Sequence, residues 1–163
     1  MSNTSSHTAT QDILKRLDDL DIQLPKAAAA IANYVPYVIS GNLISISGQI
    51  PMGPDGPAFT GQVGKDITEE EAKQAARLCG INIVAQINAA LDGQLGRVSR
   101  IVKLGGFVNG VSEFGGQPQI INAASDLMVD IFGEAGRHSR SAIGTNGLPL
   151  NVPVEIDALV EFK

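Results

Sequence analysis

Metal-binding side chains are nearly missing from this sequence. One cysteine (Cys79) and two histidines (His7 and His138) in 163 residues cannot furnish an ordinary zinc site, and a lone cysteine excludes an internal disulfide. The cysteine usage fits a reducing compartment. Tryptophan is absent, with only two tyrosines and five phenylalanines. The core must therefore be built from Ala, Val, Ile and Leu, and stacking platforms for nucleic acid bases are scarce. Positive charge is also short: 12 Lys and Arg against 17 Asp and Glu leave a net charge of −5, so no general basic field draws phosphate backbones. No apolar run approaches the roughly 18 residues of a membrane span. The opening "MSNTSSHTATQDILKRLDDL" starts polar and carries acids, unlike a secretory leader. These absences point to a cytoplasmic protein with neither nucleic acid nor membrane as partner, and to one domain of ordinary size.

What is present is patterned. In "TQDILKRLDDL" the residues Ile13, Leu14, Leu17 and Leu20 recur at helical spacing, predicting a short amphipathic helix. A connector, "LPKAAAAIANY", leads to two strand-like runs, "YVPYVIS" and "NLISISGQ", joined by a turn. "IPMGPDGPAFTGQVG" reads as a loop without either phosphate-binding glycine spacing. Thr68 followed by Glu71 makes a capping box, and an apolar stripe from Ala72 through Cys79 to Leu91 predicts a helix ending by Gly93. Cys79 reads as a core filler on that stripe. "RVSRIVKLGGFVNG" predicts a strand with a bulge at its Gly-Gly pair. "QPQIINAASDLMVDIFG" predicts a second main helix stopped by Gly133. "SRSAIGT" and "VPVEIDALVEF" predict two more strands, the last with Val154, Ile156, Ala158 and Val160 on one face and Glu155, Asp157 and Glu161 on the other. The expected fold is α+β, a mixed sheet with two main helices packed on one face. Its other face calls for a cover, and a second copy of the chain is the simplest one.

The basic residues gather at "GRHSRSAIG", where Arg137, His138 and Arg140 fall within four positions. Arg140 alternates with Ser139 and Ser141 on a strand-like run. Either it is a solvated surface arginine or an ion-pair partner, or it is a guanidinium fixed on a rigid element to grip a carboxylate through two parallel hydrogen bonds. Residue types alone leave both readings open.

Taken in order, "YVPYVISGNLISISGQIP", "RVSRIVKLGGFV", "INAASDLMVDIFG", "HSRSAIG" and "LPLNVPVEIDALV" resemble the Rid family of enamine and imine deaminases, also called YjgF, UK114 or L-PSP. The resemblance runs from about Tyr34 to the end, and so divides the chain into an N-terminal helix and connector over residues 1–33 and one Rid-like domain over residues 34–163. It implies a chorismate-mutase-like fold and a homotrimer with clefts between subunits. The implied activity is hydrolysis of carboxylate-bearing 2-enamines or 2-imines to 2-keto acids and ammonia, without metal or cofactor. It further implies that Arg140 binds the substrate carboxylate and that Glu155 orients the attacking water. Tyr34, Ser47, Gly48, Gln49, Asn122 and Ala142 would line the substrate, Ala142 standing where the best-known branch has cysteine. A fixed cation, a held water and an acceptor for its proton are what a 2-imino acid requires, with Glu155 serving if the arginine strand pairs beside its own. Two other readings stand: a non-enzymatic trimer that binds metabolites or proteins, and a deaminase dedicated to an aminomuconate-type acid. An endoribonuclease fits least with so acidic a chain. The N-terminal helix and the "MGPDGPAFTGQVGKD" loop depart from the shorter family pattern and bear on substrate choice.

Overall fold

The computed structural model describes residues 2–28 and 33–163, with side chains described from Ala9 onward; part of the predicted connector, residues 29–32, lies outside them. Helix α1 (Ser2–Asp19) is longer than the periodicity predicts, and it reaches the core through Ile13 and Leu17. Strands β1 (Tyr37–Ser40) and β2 (Leu43–Gln49) form the predicted hairpin. The first begins after Pro36 rather than at Tyr34, since proline supplies no ladder donor. The predicted loop carries a two-residue ladder, β3 (Met52–Gly53) with β4 (Gly56–Pro57).

Helix α2 (Glu69–Ala90) starts as expected. The Thr68 hydroxyl accepts from the Glu71 amide at 3.2 Å, and the Glu71 carboxylate accepts from the Thr68 amide at 2.8 Å. Donation from the Thr68 amide, and then from the Thr68 hydroxyl at 2.8 Å, holds the Glu71 carboxyl below its ordinary range. Strand β5 (Val98–Asn109), helix α3 (Gln117–Phe132), strand β6 (Ser139–Thr145) and strand β7 (Val154–Phe162) complete the chain. Gly133 closes α3 at φ 61°, a left-handed position that suits glycine.

The main sheet has the order β1-β2-β7-β5-β6, with β6 parallel to β5 and all other neighbours antiparallel. One face is apolar: Ile44, Ile46, Ile101, Leu104, Val154, Ile156 and Val160 are buried there with the stripes of α2 and α3. The fold is thus α+β, a mixed sheet with two main helices on one face. Cys79 fills a core position as expected, its thiol 3.7 Å from the Val154 carbonyl.

The Gly-Gly pair does not make the predicted bulge. Register shifts in β5 occur earlier, between Val98 and Arg100 and between Ile101 and Lys103, while Gly105 and Gly106 pair in step with Asp157 and Ile156. The glycines serve close approach instead. A β-carbon on Gly105 would strike the Asp157 carboxylate, and one on Gly106 would come within 2.6 Å of the Ile121 side chain. Two consecutive glycines, pointing to opposite faces, let an acid fold over the sheet on one side and α3 settle onto it on the other.

The second face mixes polar and apolar groups. Val38, Ser45 and Leu159 lie in one row across three strands, and Glu155, Phe107 and Ile143 in another. Val38 and Ile143 are 53% and 51% exposed, so apolar area on this face remains open to solvent.

Candidate active site

Arg140 leans toward the helices. It pairs with Leu104, a core residue, in the β5–β6 ladder, and directly paired residues share a face. Its Nη1 donates to Asn122 Oδ1 at 2.8 Å and to Ser125 Oγ at 3.0 Å, both on α3. Among the described residues the ion pairs are Lys15 with Asp19, Lys73 with Glu70 and Arg137 with Glu134. Arg140 therefore stands half-buried, braced by neutral oxygens, with its charge uncompensated. The basic cluster of the sequence divides accordingly: Arg137 is exposed and occupied by Glu134, and Arg140 is the free cation.

His138 belongs to the brace. Its Nδ1 lies 2.6 Å from the Gly136 carbonyl and its Nε2 3.0 Å from Ser125 Oγ. A carbonyl only accepts, so Nδ1 donates to it, and in the tautomer with its proton there Nε2 accepts from the Ser125 hydroxyl. The hydroxyl's remaining lone pairs then face the arginine. The result is a directed chain from the Gly136 carbonyl through His138 and Ser125 to Arg140. His138→Gln places an acceptor amide near Nε2, whereas His138→Asn can replace only the Nδ1 contact. The glutamine variant is expected to keep ligand affinity within about twofold and the asparagine variant to lose about fivefold, since one neutral hydrogen bond contributes roughly 1 kcal/mol. Titration of a bound 2-keto acid by calorimetry measures both.

Glu155 occupies the other face. Burial, and then the negative charge of Asp157, raise its carboxyl above the ordinary range, a direction that brings a proton acceptor nearer its working pH. Gly48 gives it room, since a β-carbon there would collide with the Glu155 carboxylate. A register irregularity in β2 between Ile46 and Gln49 shapes this end of the strand. Ser47 Oγ donates to the Val35 carbonyl at 2.7 Å and Gln49 Nε2 to the Ser47 carbonyl at 2.9 Å, so both side chains hold the backbone around Gly48. Tyr34 and Gly48 both line a cavity of about 910 Å³, and Tyr34 is 56% exposed.

The structure thus sorts the predicted residues into two halves. Arg140, Asn122 and Ala142 belong to the α3 and β6 end, and Glu155, Ser47, Gly48, Gln49 and Tyr34 to the β2 and β7 end. The expected pairing of the arginine strand beside that of Glu155 does not occur. Strand β5 separates them, and the two charged side chains point to opposite faces of the sheet. Ser125 had no assigned role in the sequence reading, although its spacing of three from Asn122 places it on the same helix face. Gly136 had no signal at all, since it acts through a backbone carbonyl. No group of three or more His, Cys, Asp or Glu able to hold a metal occurs among the described residues.

The sequence model of the YjgF/chorismate_mutase-like family matches residues 15–161. The chain belongs to this family. Within the YjgF-like family it is similar to protein TCP17 of Trypanosoma cruzi, 46% identical over 97% of this chain and 99% of that protein. The crystal structure of Atu1372, a protein of unknown function from Agrobacterium tumefaciens, superposes with a TM-score of 0.93 at 47% identity, over the full length of both chains. A 2-iminobutanoate/2-iminopropanoate deaminase of Dermatophagoides farinae is 27% identical over 87% of this chain and 95% of that protein. The match begins inside α1, in keeping with a YjgF-like core into which that helix is packed.

Proposed function

We propose that this YjgF-family protein is a cytoplasmic deaminase that hydrolyses carboxylate-bearing 2-enamines or 2-imines to 2-keto acids and ammonia. The observation that carries the reading is Arg140, a braced guanidinium with no acid of its own. Such a group suits a small carboxylate ligand, which takes two parallel hydrogen bonds from the planar fork. The deaminase relative supports the reaction class.

The separation of the halves supports a shared site. In a homotrimer that buries the open sheet face, the Arg140 half of one copy would meet the Glu155 half of the next, as a rotationally symmetric ring brings two different surfaces together at each contact. Arg140 would hold the substrate carboxylate. Glu155 would take a proton from water as the oxygen bonds to the C=N carbon and pass it to nitrogen, giving a carbinolamine. Glu155 would then move the hydroxyl proton of that intermediate to nitrogen, so that the C–N bond breaks as the keto group forms and ammonia leaves. Atoms and charge balance with water as the only co-reactant.

Co-assembly of Arg140→Ala with Glu155→Gln tests this arrangement. Each variant alone is expected to be nearly inert. Refolded together in equal amounts, a site drawing Arg140 from one copy and Glu155 from another is whole when both donors are intact, about one half times one half, or about a quarter of sites. Recovery of about a quarter of the wild-type 2-keto acid release supports the shared site, and no recovery refutes it.

A further inference from the structure

The cavity beside Gly48 lies within one chain. Leu78, Ile81 and Ala85 of α2 form one wall, Leu20 and Ile22 just after α1 another, and Met52 of the β3–β4 ladder a third. Buried amides hold these walls in place. Asn82 Nδ2 donates to the Ile50 and Met52 carbonyls at 3.0 and 3.2 Å, and Gln86 Nε2 donates to the Ala28 carbonyl at 2.8 Å. Both amides thus fasten backbone around the cavity, Asn82 from its lining and Gln86 from behind it. The charged residues on its lining, Asp21, Lys26 and Arg77, all retain solvent exposure, which leaves the walls between them mainly apolar. A space of about 910 Å³ is near the upper end of small-molecule sites, roughly 300 to 1,000 Å³. A two- or three-carbon imino acid would occupy a small part of it.

Gly48 joins this cavity to the candidate active site. It is a wall of the cavity and also the position against which the Glu155 carboxylate rests. Tyr34 and Gln49 line the cavity as well. A substrate whose C=N carbon lies by Glu155 would then meet apolar space beyond Gly48, the wall that the two sites share. We propose that this cavity receives the substrate side chain, so that the preferred substrates are 2-enamine or 2-imine acids with long apolar side chains. The inference rests on the deaminase reading and adds to it the substrate class and the residues that select it. Pro25, Lys26 and Ala28 of the connector and Met52, Gly53 and Pro54 of the longer loop, which the shared reaction leaves unused, acquire a role as walls of this space.

The test is a side-chain series. Imines are generated in place by an amino acid oxidase from alanine, 2-aminobutyrate, norleucine and phenylalanine, and 2-keto acid release is followed with wild type, Leu78→Trp and Met52→Trp. The two substitutions fill the cavity from opposite walls, and melting temperatures report whether each variant folds. Wild-type kcat/KM is expected to rise about fourfold per buried methylene, and the ratio of the norleucine- to the alanine-derived imine to fall at least tenfold in each folded variant. Wild type that hydrolyses all four imines without preference, or a folded variant with an unchanged ratio, overturns the cavity assignment while the deaminase reading stands. Wild type inert toward every imine overturns both.

Discussion

Arg140→Ala is expected to reduce 2-keto acid release by about 30-fold to several thousand-fold, while the protein stays folded. Removing one partner of a desolvated charge pair costs roughly 2 to 5 kcal/mol, and each 1.36 kcal/mol is tenfold. The loss should appear chiefly in kcat/KM, because the guanidinium grips substrate and transition state through the same carboxylate. Folding should survive, since the side chain is only half-buried and leaves behind neutral Asn122 and Ser125, which water can satisfy. Arg140→Lys keeps the charge without the planar fork and should fall between the two. Steady-state kinetics beside a thermal melt separates loss of binding from loss of structure. An alanine variant as active as wild type would refute the role of Arg140.

Glu155→Gln is expected to remove about 10²- to 10⁴-fold in kcat, the usual contribution of a positioned proton acceptor, and to raise stability at the same time. The sign follows from the raised carboxyl, whose causes are burial first and Asp157 second. A carboxyl that titrates higher in the folded state than in the unfolded one binds its proton more tightly when folded. Its cost to stability is absent below the ordinary carboxylate range and grows as pH rises through the raised folded value. Glutamine carries no such cost, so the variant should melt higher than wild type near pH 7.5 and alike near pH 4. The wild-type rate should climb with pH along a limb displaced above the ordinary carboxylate range, and the variant should lack that limb. A melting temperature that falls at pH 7.5 would show that Glu155 stabilises the fold instead.

Much of this architecture can be read from periodicity, because each element declares its face. Val154, Ile156, Ala158 and Val160 alternate strictly with the acids, and the stripe from Ala72 to Leu91 repeats at helical spacing beneath an explicit cap. The same reading fails where a residue's role is set by a partner distant in sequence. Gly105 and Gly106 look like a bulge locally, yet Asp157 and Ile121, on other elements, determine why no side chain fits there. The candidate site shows the same limit. Arg140 and Glu155 are both legible as residues, but their placement on opposite faces depends on β5 lying between β6 and β7, and strand order leaves no mark in a one-dimensional pattern. The brace behind Arg140 is half legible: Ser125 is spaced for it, and the Gly136 carbonyl is invisible to any reading of side chains.

The single thiol has a practical consequence. Cys79 is wholly enclosed between α2 and the sheet, beside the Val154 carbonyl, and burial raises its thiol well above the ordinary range, which withholds the reactive thiolate. An alkylating reagent can reach the sulfur only when the core itself opens. With one cysteine in the chain, the labelled fraction counts opening events without interference from any other thiol. Labelling rates with and without a bound keto acid would then convert occupancy of the cleft into kinetic protection of the whole core, and ligands could be ranked without any turnover.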